Sequence, residues 1–469
     1  MSNGPKIEEK KKFKLPHIFV LLFCIVLLCS ILTWIIPAGQ FDRVVNDAGR
    51  EIAVAGTWHE VEATPVGVLG FLTSFFNGMV NASEIMITVF IAFASVQFVL
   101  KSGAFDGLVV ALMKVFKGKS SVIVIPIFMA IIGLASSTIG MFEEWLPFIP
   151  IFAAIFIGLG YDAMVGLAVV ALGAGMGFSG ATINPFTVGV AQGIAEVPYM
   201  SGVGFRILCH AAMIVVGGGL TIRYALKVKA DPTKSYVYGE DFSALVGSEG
   251  DVKAEFGWRQ KLVLVDLFAA IAVIVYGVNT FGWYFAEITG IFLAMGLIAA
   301  IIMGFKPDEM ANIFQEGFKD ACTAAMMVGI ARATLIVLQQ GNIIDTVVYY
   351  FSEPLSLLPS WLAAVFMLLI QTVLNFFIPS GSGQAAVSMP IMAPTADLLG
   401  IPRDIAVLAY QFGDGMSNIV WPTAFAAIMA GLAGVKLEKW WKFIFPVFGC
   451  IIATQAALII IAMFTGFGA

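Results

Sequence analysis

The sequence predicts an all-α protein that crosses a membrane many times and consists of two similar halves. Of its 469 residues, 59% are hydrophobic and 12% are charged, whereas an average soluble domain has about 25% charged residues. Apolar runs such as 17–37 and 262–283 reach the length of about 18 residues or more that a transmembrane helix needs. Two other apolar regions are interrupted by short polar segments, which indicates helices that turn back or break inside the membrane in addition to helices that cross it.

The N-terminal region is predicted to be a cytoplasmic tail, residues 1–16, followed by a retained helix. The apolar run 17–37 is longer than the roughly 7–15 residues of a signal-peptide core. Lysines and arginines concentrate on the cytoplasmic side of membrane proteins, which places the tail inside and the acidic segment 38–64 outside. The lysines of the tail are Lys6, Lys10, Lys11, Lys12 and Lys14.

The polar stretch 375–384 is the centre of the prediction, because it lies between the apolar runs 361–374 and 385–399. Unpaired backbone groups occur at membrane depth only where protein or a water-filled cavity covers them. Residues 361–400 are therefore predicted to form a helical hairpin that enters and leaves the membrane on one face. A first hairpin of this kind is predicted at 121–160, with its polar centre at 136–144.

Two helices are predicted to break inside the membrane. The helix 162–195 is interrupted at 177–185, which reads Gly-Phe-Ser-Gly-Ala-Thr-Ile-Asn-Pro, and the helix 404–433 is interrupted at Ser417-Asn418. Proline lacks the backbone donor and disfavours a helical residue before it.

These elements define two repeats, joined by a charged segment. The first repeat is 17–226, the cytoplasmic linker is 227–258, and the second repeat is 259–469. In the second repeat, an amphipathic segment near 307–320 is expected to precede a separate span at 321–340.

Sequence matches support an internal duplication. Gly-Ala-Gly-Met at 173–176 and Gly-Asp-Gly-Met at 413–416 are 240 positions apart, and Gly78 and Gly317 are 239 positions apart. The placement of Lys and Arg predicts that the second copy is inverted, with the C-terminus outside. In that arrangement the two hairpins enter from opposite sides and their tips meet near the midplane.

The polar side chains of the tips and breaks are the candidate ligand-binding residues. Free helix N-termini suit anionic groups, and hydroxyls and amides add hydrogen bonds. Close helix packing by small residues and helix capping by the asparagines are the alternative interpretations. The candidates are Ser136, Ser137, Thr138, Asn184, Asn375, Ser380, Gly381, Ser382, Gln384 and Asn418.

Three acids, Glu143, Glu144 and Asp414, are predicted at the same depth. Ionised carboxyls in an apolar segment are costly and usually functional, although exposure to water at the interface is the alternative for the two glutamates. No Lys or Arg occurs in 121–200, so the acids are expected to face a cationic group of the ligand, a coupling cation or a proton. Arg332 is predicted to pair with one of them or to contact a substrate carboxylate.

These features favour a secondary transporter over an ion channel or an intramembrane hydrolase. Alternating access explains the repeats, hairpins and broken helices together, whereas a channel would need a symmetric pore. Neither serine-hydrolase nor zinc-protease motifs occur at the breaks, and no Walker loop is present, so we expect neither an enzyme nor ATP-driven transport. The net charge of -5 gives no indication of a nucleic-acid partner.

No cofactor is expected apart from a coupling Na⁺ or H⁺. Sodium prefers hard oxygen ligands, and such ligands are present at both predicted breaks and at both tips. The candidate sodium ligands are Ser137, Asn184, Ser382, Asp414 and Ser417.

The order of these motifs resembles the YfcC/DcuC-type carriers, often labelled C4-dicarboxylate anaerobic carriers. The resemblance covers nearly the whole chain and implies an ion-transporter-superfamily fold, with a scaffold and a transport domain in each subunit of a homodimer. It also implies elevator-type movement in the bacterial inner membrane. The motifs that carry it lie at 136–147, 173–186, 379–384 and 413–418.

The resemblance leaves two kinds of cargo open. Some members are linked to arginine/ornithine or citrulline/ornithine exchange, and others to C4-dicarboxylates. Dicarboxylate carriers of the superfamily typically have Ser-Asn-Thr clusters at both tips, whereas here 380–384 reads Ser-Gly-Ser-Gly-Gln and the first tip has two glutamates. We therefore expect a cationic amino acid, moved by exchange or cation-coupled uptake, with Na⁺- or H⁺-coupled dicarboxylate transport as the alternative.

Overall fold

The computed structural model describes residues 17–45, 51–54, 56–104, 107, 118–184, 186–246 and 257–468. The predicted tail 1–16, Pro185 of the first predicted break and part of the linker, 247–256, lie outside the described residues. The described chain is α-helical apart from two small antiparallel β-ladders. Strand β1 (Gly39–Gln40) pairs with β4 (His59–Glu60), and β2 (Arg43–Val45) pairs with β3 (Glu51–Ala53).

The helices of the first half include both long and short elements. Short 3₁₀ segments occur at Gly118–Ile123, Glu143–Phe148 and Pro232–Lys234. The helices are α1 (Ile18–Leu32), α2 (Val68–Asn81), α3 (Ser83–Lys101), α4 (Val124–Ile139), α5 (Ile149–Gly158), α6 (Ala163–Ser179), α7 (Val188–Ile194), α8 (Val203–Ala230) and α9 (Ser243–Val246).

The second half begins with three long helices, and a 3₁₀ segment, Glu353–Leu357, lies before its polar stretch. The helices are α10 (Trp258–Phe281), α11 (Phe285–Met303), α12 (Pro307–Gln340), α13 (Ile344–Ser352), α14 (Ser360–Phe377), α15 (Gly381–Leu398), α16 (Arg403–Ser417), α17 (Ala426–Leu432) and α18 (Leu437–Thr465).

Within the described residues, eight helices are long and apolar enough to cross a membrane. They involve α3, α4 with the turn before it, α8, α10, α11, α12, α14 and α18. A chain with this many apolar helices is a multi-pass membrane protein, as the sequence predicted.

The region 307–340 differs from the expectation of an amphipathic segment followed by a separate span. It forms one continuous helix of 34 residues, α12. At about 1.5 Å per residue such a helix is roughly 51 Å long, which exceeds the roughly 30 Å hydrocarbon core. The charged first part is therefore the extension of a membrane helix beyond the bilayer rather than a separate element.

The helices pack in two groups. In the first group, α12 packs against α1, α2 and α3, and α11 packs against α3 and α10. In the second group, α6 packs against α4, α5, α8 and α16, while α14 packs against α16 and α18. Every residue of α6 and all but the first of α16 are buried, so these two helices form the core of the second group.

Glycines mark the closest helix contacts in the first group. A methyl group added at Gly78 of α2 would lie 2.7 Å from the backbone nitrogen of Ala333 on α12. A methyl added at Gly317 of α12 would overlap the backbone of Ala94 on α3. Gly317 lies 239 positions after Gly78, and Ala333 lies 239 positions after Ala94. The two contacts are therefore reciprocal, because the glycine of each copy contacts the alanine of the other.

The second group contains a matching pair of contacts. A methyl added at Gly175 would lie 3.2 Å from the side chain of Ile419, and a methyl added at Gly415 would overlap the backbone of Ser179. Gly415 and Ile419 follow Gly175 and Ser179 by 240 positions. As the chain advances from Gly175 to Ser179, its contacts move back from Ile419 to Gly415, so the two chain segments are antiparallel where they meet.

The described part of the linker is fixed to both halves. Asp162 begins α6, where its side chain accepts a hydrogen bond from the backbone of Val165, and it also accepts hydrogen bonds from Tyr224 and Ser235. Further along, Glu240 forms ion pairs of 2.8 and 2.9 Å with lysines at the beginning of α18. The linker therefore holds the beginnings of α6 and α18 on one side of the molecule.

Candidate functional site

A cavity of about 270 Å³ lies between the two groups of helices. One part of its wall comes from α3, α12 and the turn before α11, and the rest comes mainly from the segments that follow α4 and precede α15. Its charged and polar lining residues include Asn81, Glu84, Glu143, Glu144, Tyr284, Arg332, Ser380 and Ser382. This volume is slightly below the roughly 300–1,000 Å³ of drug-sized ligand pockets, and it suits a molecule of metabolite size.

The first polar tip begins where α4 ends at Gly140. This residue has φ 75°, a left-handed conformation that costs glycine little, and an added side chain would lie 2.6 Å from Oδ1 of Asn184. The turn continues into the 3₁₀ segment that contains both glutamates. Glu144 is 4% exposed and its carboxylate accepts a hydrogen bond of 2.9 Å from the backbone of Phe142, while Glu143 is only half-buried.

The hydroxyls of Ser136, Ser137 and Thr138 form hydrogen bonds within the protein instead of lining this cavity. Ser136 accepts a bond of 3.1 Å from the indole of Trp145, and Thr138 donates to the carbonyl of its own helix. Ser137 donates to the carbonyl of Gly180 at 3.0 Å. The bonds of Ser137 to Gly180 and Thr182 fasten the end of α4 to the segment between α6 and α7.

The second polar tip is the beginning of α15. Ser380 is its N-cap and makes no side-chain capping bond, and Ser380, Gly381 and Ser382 line the cavity. The first backbone N–H groups of an α-helix have no partner within the helix. Because this N-terminus lies at the cavity, it provides hydrogen-bond donors and a partial positive charge for an anionic group.

Asp414 lies behind the second tip and is fully buried. Asn375 donates to its Oδ1 at 2.9 Å, and the amide of Asn418 donates to its backbone carbonyl at 2.9 Å. The other carboxylate oxygen, Oδ2, has no hydrogen-bond partner, and the same holds for Oδ1 of Asn375. A methyl added at Gly381 would be 3.3 Å from Asp414 Oδ2, so this carboxylate lies directly behind the cavity wall.

The remaining sequence-predicted residues lie near the breaks or within the second hairpin. Asn184 accepts a bond of 2.9 Å from the backbone of Phe186, which stabilises the turn between α6 and α7. Ser417 donates to the carbonyl of Gly413 at the end of α16. Gln384 is buried and donates to the side chain of Gln371 at 2.7 Å, so it joins the two arms of the hairpin.

The predicted sodium ligands form two separate sets. Asp414 and Ser417 lie together at the end of α16. Ser137, near the end of α4, bonds to Gly180 of the break after α6, where Asn184 lies. Ser382 is exposed at the cavity. Among the described residues, no group of three or more His, Cys, Asp or Glu side chains is suited to a metal ion, but the free oxygens of Asp414 and Asn375 are the hard donors that Na⁺ prefers.

Charges of opposite sign share the cavity. Arg332 is close enough to Glu143 for their charges to interact, and Tyr284 lies within electrostatic range of Glu84, Glu143 and Glu144. Among the described residues no carboxylate lies within 4.0 Å of the Arg332 guanidinium. In the part of the chain that the structure describes, three carboxyls and one guanidinium line the cavity, and that guanidinium is not held in a direct ion pair.

Sequence reasoning missed Glu84, Tyr284 and Asn81. Glu84 is an acid in the first turn of the apolar helix α3, a signal of the same kind that singled out Glu143 and Glu144. Tyr284 lies in the turn before α11, where the sequence shows an ordinary aromatic residue at a helix end.

Two solved transporter structures resemble the chain at low sequence identity. The YdaH transporter of Alcanivorax borkumensis has 14% identity and a TM-score of 0.46, and the match covers 97% of this chain and 99% of YdaH. MtrF of Neisseria gonorrhoeae, described as illuminating a class of antimetabolite efflux pumps, has 19% identity and a TM-score of 0.45, with 96% of both chains covered.

Relatives of full length are more similar in sequence. An uncharacterized protein of Haemophilus influenzae is 30% identical over 97% of this chain and 98% of its own length. A protein of Escherichia coli named putative basic amino acid antiporter YfcC is 32% identical over the full length of both chains. The model of the DcuC family, C4-dicarboxylate anaerobic carrier, matches residues 15–464. The chain therefore belongs to the DcuC family of membrane carriers.

Proposed function

We propose that this carrier is a secondary active transporter of a cationic amino acid, of the arginine/ornithine type. The observation that carries the proposal is the charge pattern of the cavity, where Glu84, Glu143 and Glu144 share the wall with Arg332 and the N-terminus of α15. Carboxylates bind the ammonium or guanidinium groups of such a molecule. A guanidinium and free helix N–H groups bind its α-carboxylate.

The reciprocal glycine contacts support two repeats of inverted topology. Gly78 contacts Ala333 while Gly317 contacts Ala94, and the equivalent pairs are offset by the same number of residues. A pseudo-two-fold axis produces this reciprocity. Because equivalent segments are antiparallel where they meet in the second group, the axis lies in the membrane plane, as in transporters with inverted repeats.

The location of the cavity supports movement of the elevator type. Glu143 and Ser380 belong to the second group of helices, whereas Glu84 and Arg332 belong to the first. In this mechanism the second group, which contains both hairpins, carries the substrate past the first group.

The polar contacts of the loops support an inner-membrane topology with the N-terminus inside and the C-terminus outside. Glu240 of the linker contacts Lys436 and Lys439, so a lysine-bearing linker shares its side with the lysine-bearing beginning of α18. The single helix α18 then carries the chain to the opposite side. Arg43 pairs with Asp345 at 3.1 Å, which joins the segment 38–64 to the beginning of α13, just after the end of α12.

Sodium- or proton-coupled C4-dicarboxylate uptake is the second candidate. The description of the family favours it, and Arg332 with the N-terminus of α15 provides two groups that bind carboxylates. In that case the free Oδ2 of Asp414 serves the coupling cation. The three carboxyls in the cavity wall, together with the name of the Escherichia coli relative, favour the basic amino acid.

Transport by purified protein in liposomes distinguishes the two candidates. Vesicles loaded with ornithine are offered labelled arginine, and parallel vesicles loaded with succinate are offered labelled succinate, with and without a sodium or proton gradient. We expect arginine uptake that requires internal ornithine, and no uptake of succinate. Succinate uptake without any arginine uptake would reverse the order of the candidates.

A further inference from the structure

We infer that Arg332 is a built-in counter-cation, which interacts with the acidic wall of the cavity when no cationic cargo is bound and so makes transport an obligatory exchange. This inference rests on the proposed transport of a cationic amino acid. It assigns the coupling between inward and outward transport of the cargo to a side chain of the protein rather than to an external ion.

The position of Arg332 relative to the two groups of helices is the first observation. Arg332 lies on α12, in the first group, whereas Glu143 lies in the 3₁₀ segment that connects α4 and α5 of the second group and packs against α3 of the first. Both side chains line the cavity, close enough for charges on them to interact. Any relative movement of the two groups therefore changes the separation of these two charges.

The second observation is that Arg332 is not locked in place. No carboxylate lies within 4.0 Å of its guanidinium among the described residues, and it lines the same cavity as Glu143 and Glu144. A ligand ammonium that enters the cavity can thus take the place of Arg332 in compensating the negative charge of the acids, without first breaking a bidentate ion pair.

The energetic consequence differs between the loaded and the empty carrier. With a cationic cargo bound, the charges of Glu143 and Glu144 are compensated by a group that moves with them. Without cargo, Arg332 provides the compensation, and it belongs to the helices that stay behind. Separating the acids from Arg332 would expose uncompensated carboxylates to an apolar surrounding, which is strongly unfavourable. The empty carrier is therefore held in place, and only the loaded carrier returns.

The alternative role of Arg332 is to hold the α-carboxylate of the cargo. In that role, loss of the guanidinium would weaken binding and slow every mode of transport alike. As a counter-cation, loss of the guanidinium would release the empty carrier and increase net flux. The two roles thus predict changes of opposite sign in the same measurement.

The experiment compares labelled-arginine uptake into liposomes that are either empty or loaded with ornithine. The proteins are the wild type, Arg332→Gln, Arg332→Lys and the control Arg43→Gln, which removes a guanidinium paired with Asp345 away from the cavity. In the wild type and the control we expect uptake into loaded vesicles to exceed uptake into empty ones by at least about tenfold, the size of an ordinary coupling between two sites. Arg332→Gln should bring this ratio close to one by raising uptake into empty vesicles, and Arg332→Lys should keep most of the coupling.

A ratio unchanged in Arg332→Gln would overturn the inference, and so would loss of both fluxes together with loss of arginine binding in the detergent-solubilised variant. Wild-type protein that takes up arginine equally well into empty and loaded vesicles would also overturn it. If the wild type neither binds nor moves arginine or ornithine, it is the proposed function that fails, and binding by the wild type is measured first for that reason.

Discussion

The two adjacent glutamates of the first tip have different surroundings. Glu144 is almost fully buried and accepts a hydrogen bond from the backbone of Phe142, so its carboxylate takes part in the folding of the turn. Glu143 is half-buried, lines the cavity and interacts with the charge of Arg332. Of the pair, Glu143 is the better placed to meet a ligand.

Glu143→Gln should weaken arginine binding much more than Glu144→Gln. Hydrogen bonds to charged groups contribute about 1.5–3 kcal/mol, so the loss of the Glu143 charge should raise the Kd about tenfold to a hundredfold. Glutamine at position 144 keeps an acceptor oxygen for Phe142 and should cost less. Calorimetric titration of solubilised protein with arginine measures both effects.

Glu316→Gln is a matched control for this comparison, since Glu316 pairs with Lys101 at the surface and lies outside the cavity lining. An unchanged Kd in Glu143→Gln would mean that this carboxylate only contacts water.

At the scale of the elements, close helix packing depends on residues without a side chain. Gly78 lies against the backbone of Gly329 and Ala333, which cannot move aside as a flexible side chain could. Gly78→Ala should therefore destabilise the protein, because overpacking a tight contact costs about 1–3 kcal/mol. The melting temperature in detergent should fall measurably.

Gly449→Ala on α18 is the matched control, since no atom lies within 4 Å of an added methyl there. In a helix interior alanine is more favourable than glycine by about 1 kcal/mol, so this variant should be neutral or slightly stabilised. A Gly78→Ala protein as stable as this control would mean that the two helices separate easily.

The helices themselves were largely predictable from the sequence. Apolar length and the positions of Gly and Pro are local properties, so the run 262–283 corresponds to α10 with small shifts at its ends. The run 17–37 forms a shorter helix than predicted, because α1 ends at Leu32 and is not among the eight described helices that are long enough to cross a membrane. Residues 307–340 were wrongly divided, because the charged residues of 308–320 look like the end of a membrane element. Their helical periodicity continues without a break, and composition alone does not show that a helix extends beyond the bilayer.

On the scale of the whole molecule, the cavity could be predicted only in part. Glu143, Glu144, Ser380 and Arg332 carry a local signal, namely a polar or charged group within an apolar segment. Glu84 carries the same signal, but that it and Tyr284 line the same cavity depends on how the helices pack, which is a long-range property. Tyr284 has no signature of its own in the sequence.

The linker provides a pH-dependent connection between the halves. Burial acts to raise the pKa of Glu240, but hydrogen bonds from Lys436 and Lys439 outweigh it and hold the pKa below its ordinary value of 4.5. A carboxyl with a depressed pKa in the folded state stabilises that state above the pKa of the unfolded chain. This contribution is lost as the pH falls through the lower, folded-state pKa.

Hydrogen exchange of the segment 232–246 should therefore accelerate below about pH 4.5, after correction for the intrinsic exchange rate. In Glu240→Gln the protection should be weaker at neutral pH and less dependent on acidification. Equal protection in both proteins across this pH range would show that Asp162 with Tyr224 and Ser235 holds the linker alone.

The reciprocal glycine contacts also restrict which insertions and deletions the sequence can tolerate. Gly78 and Ala94 are separated by as many residues as Gly317 and Ala333, and the same is true of Gly175 with Ser179 and Gly415 with Ile419. A single codon inserted or deleted between the members of any pair would change the spacing of two matching crossings, so that at least one of them would lose its glycine contact. Substitutions away from these glycines can therefore accumulate independently in the two copies, while changes of length are acceptable only outside these intervals.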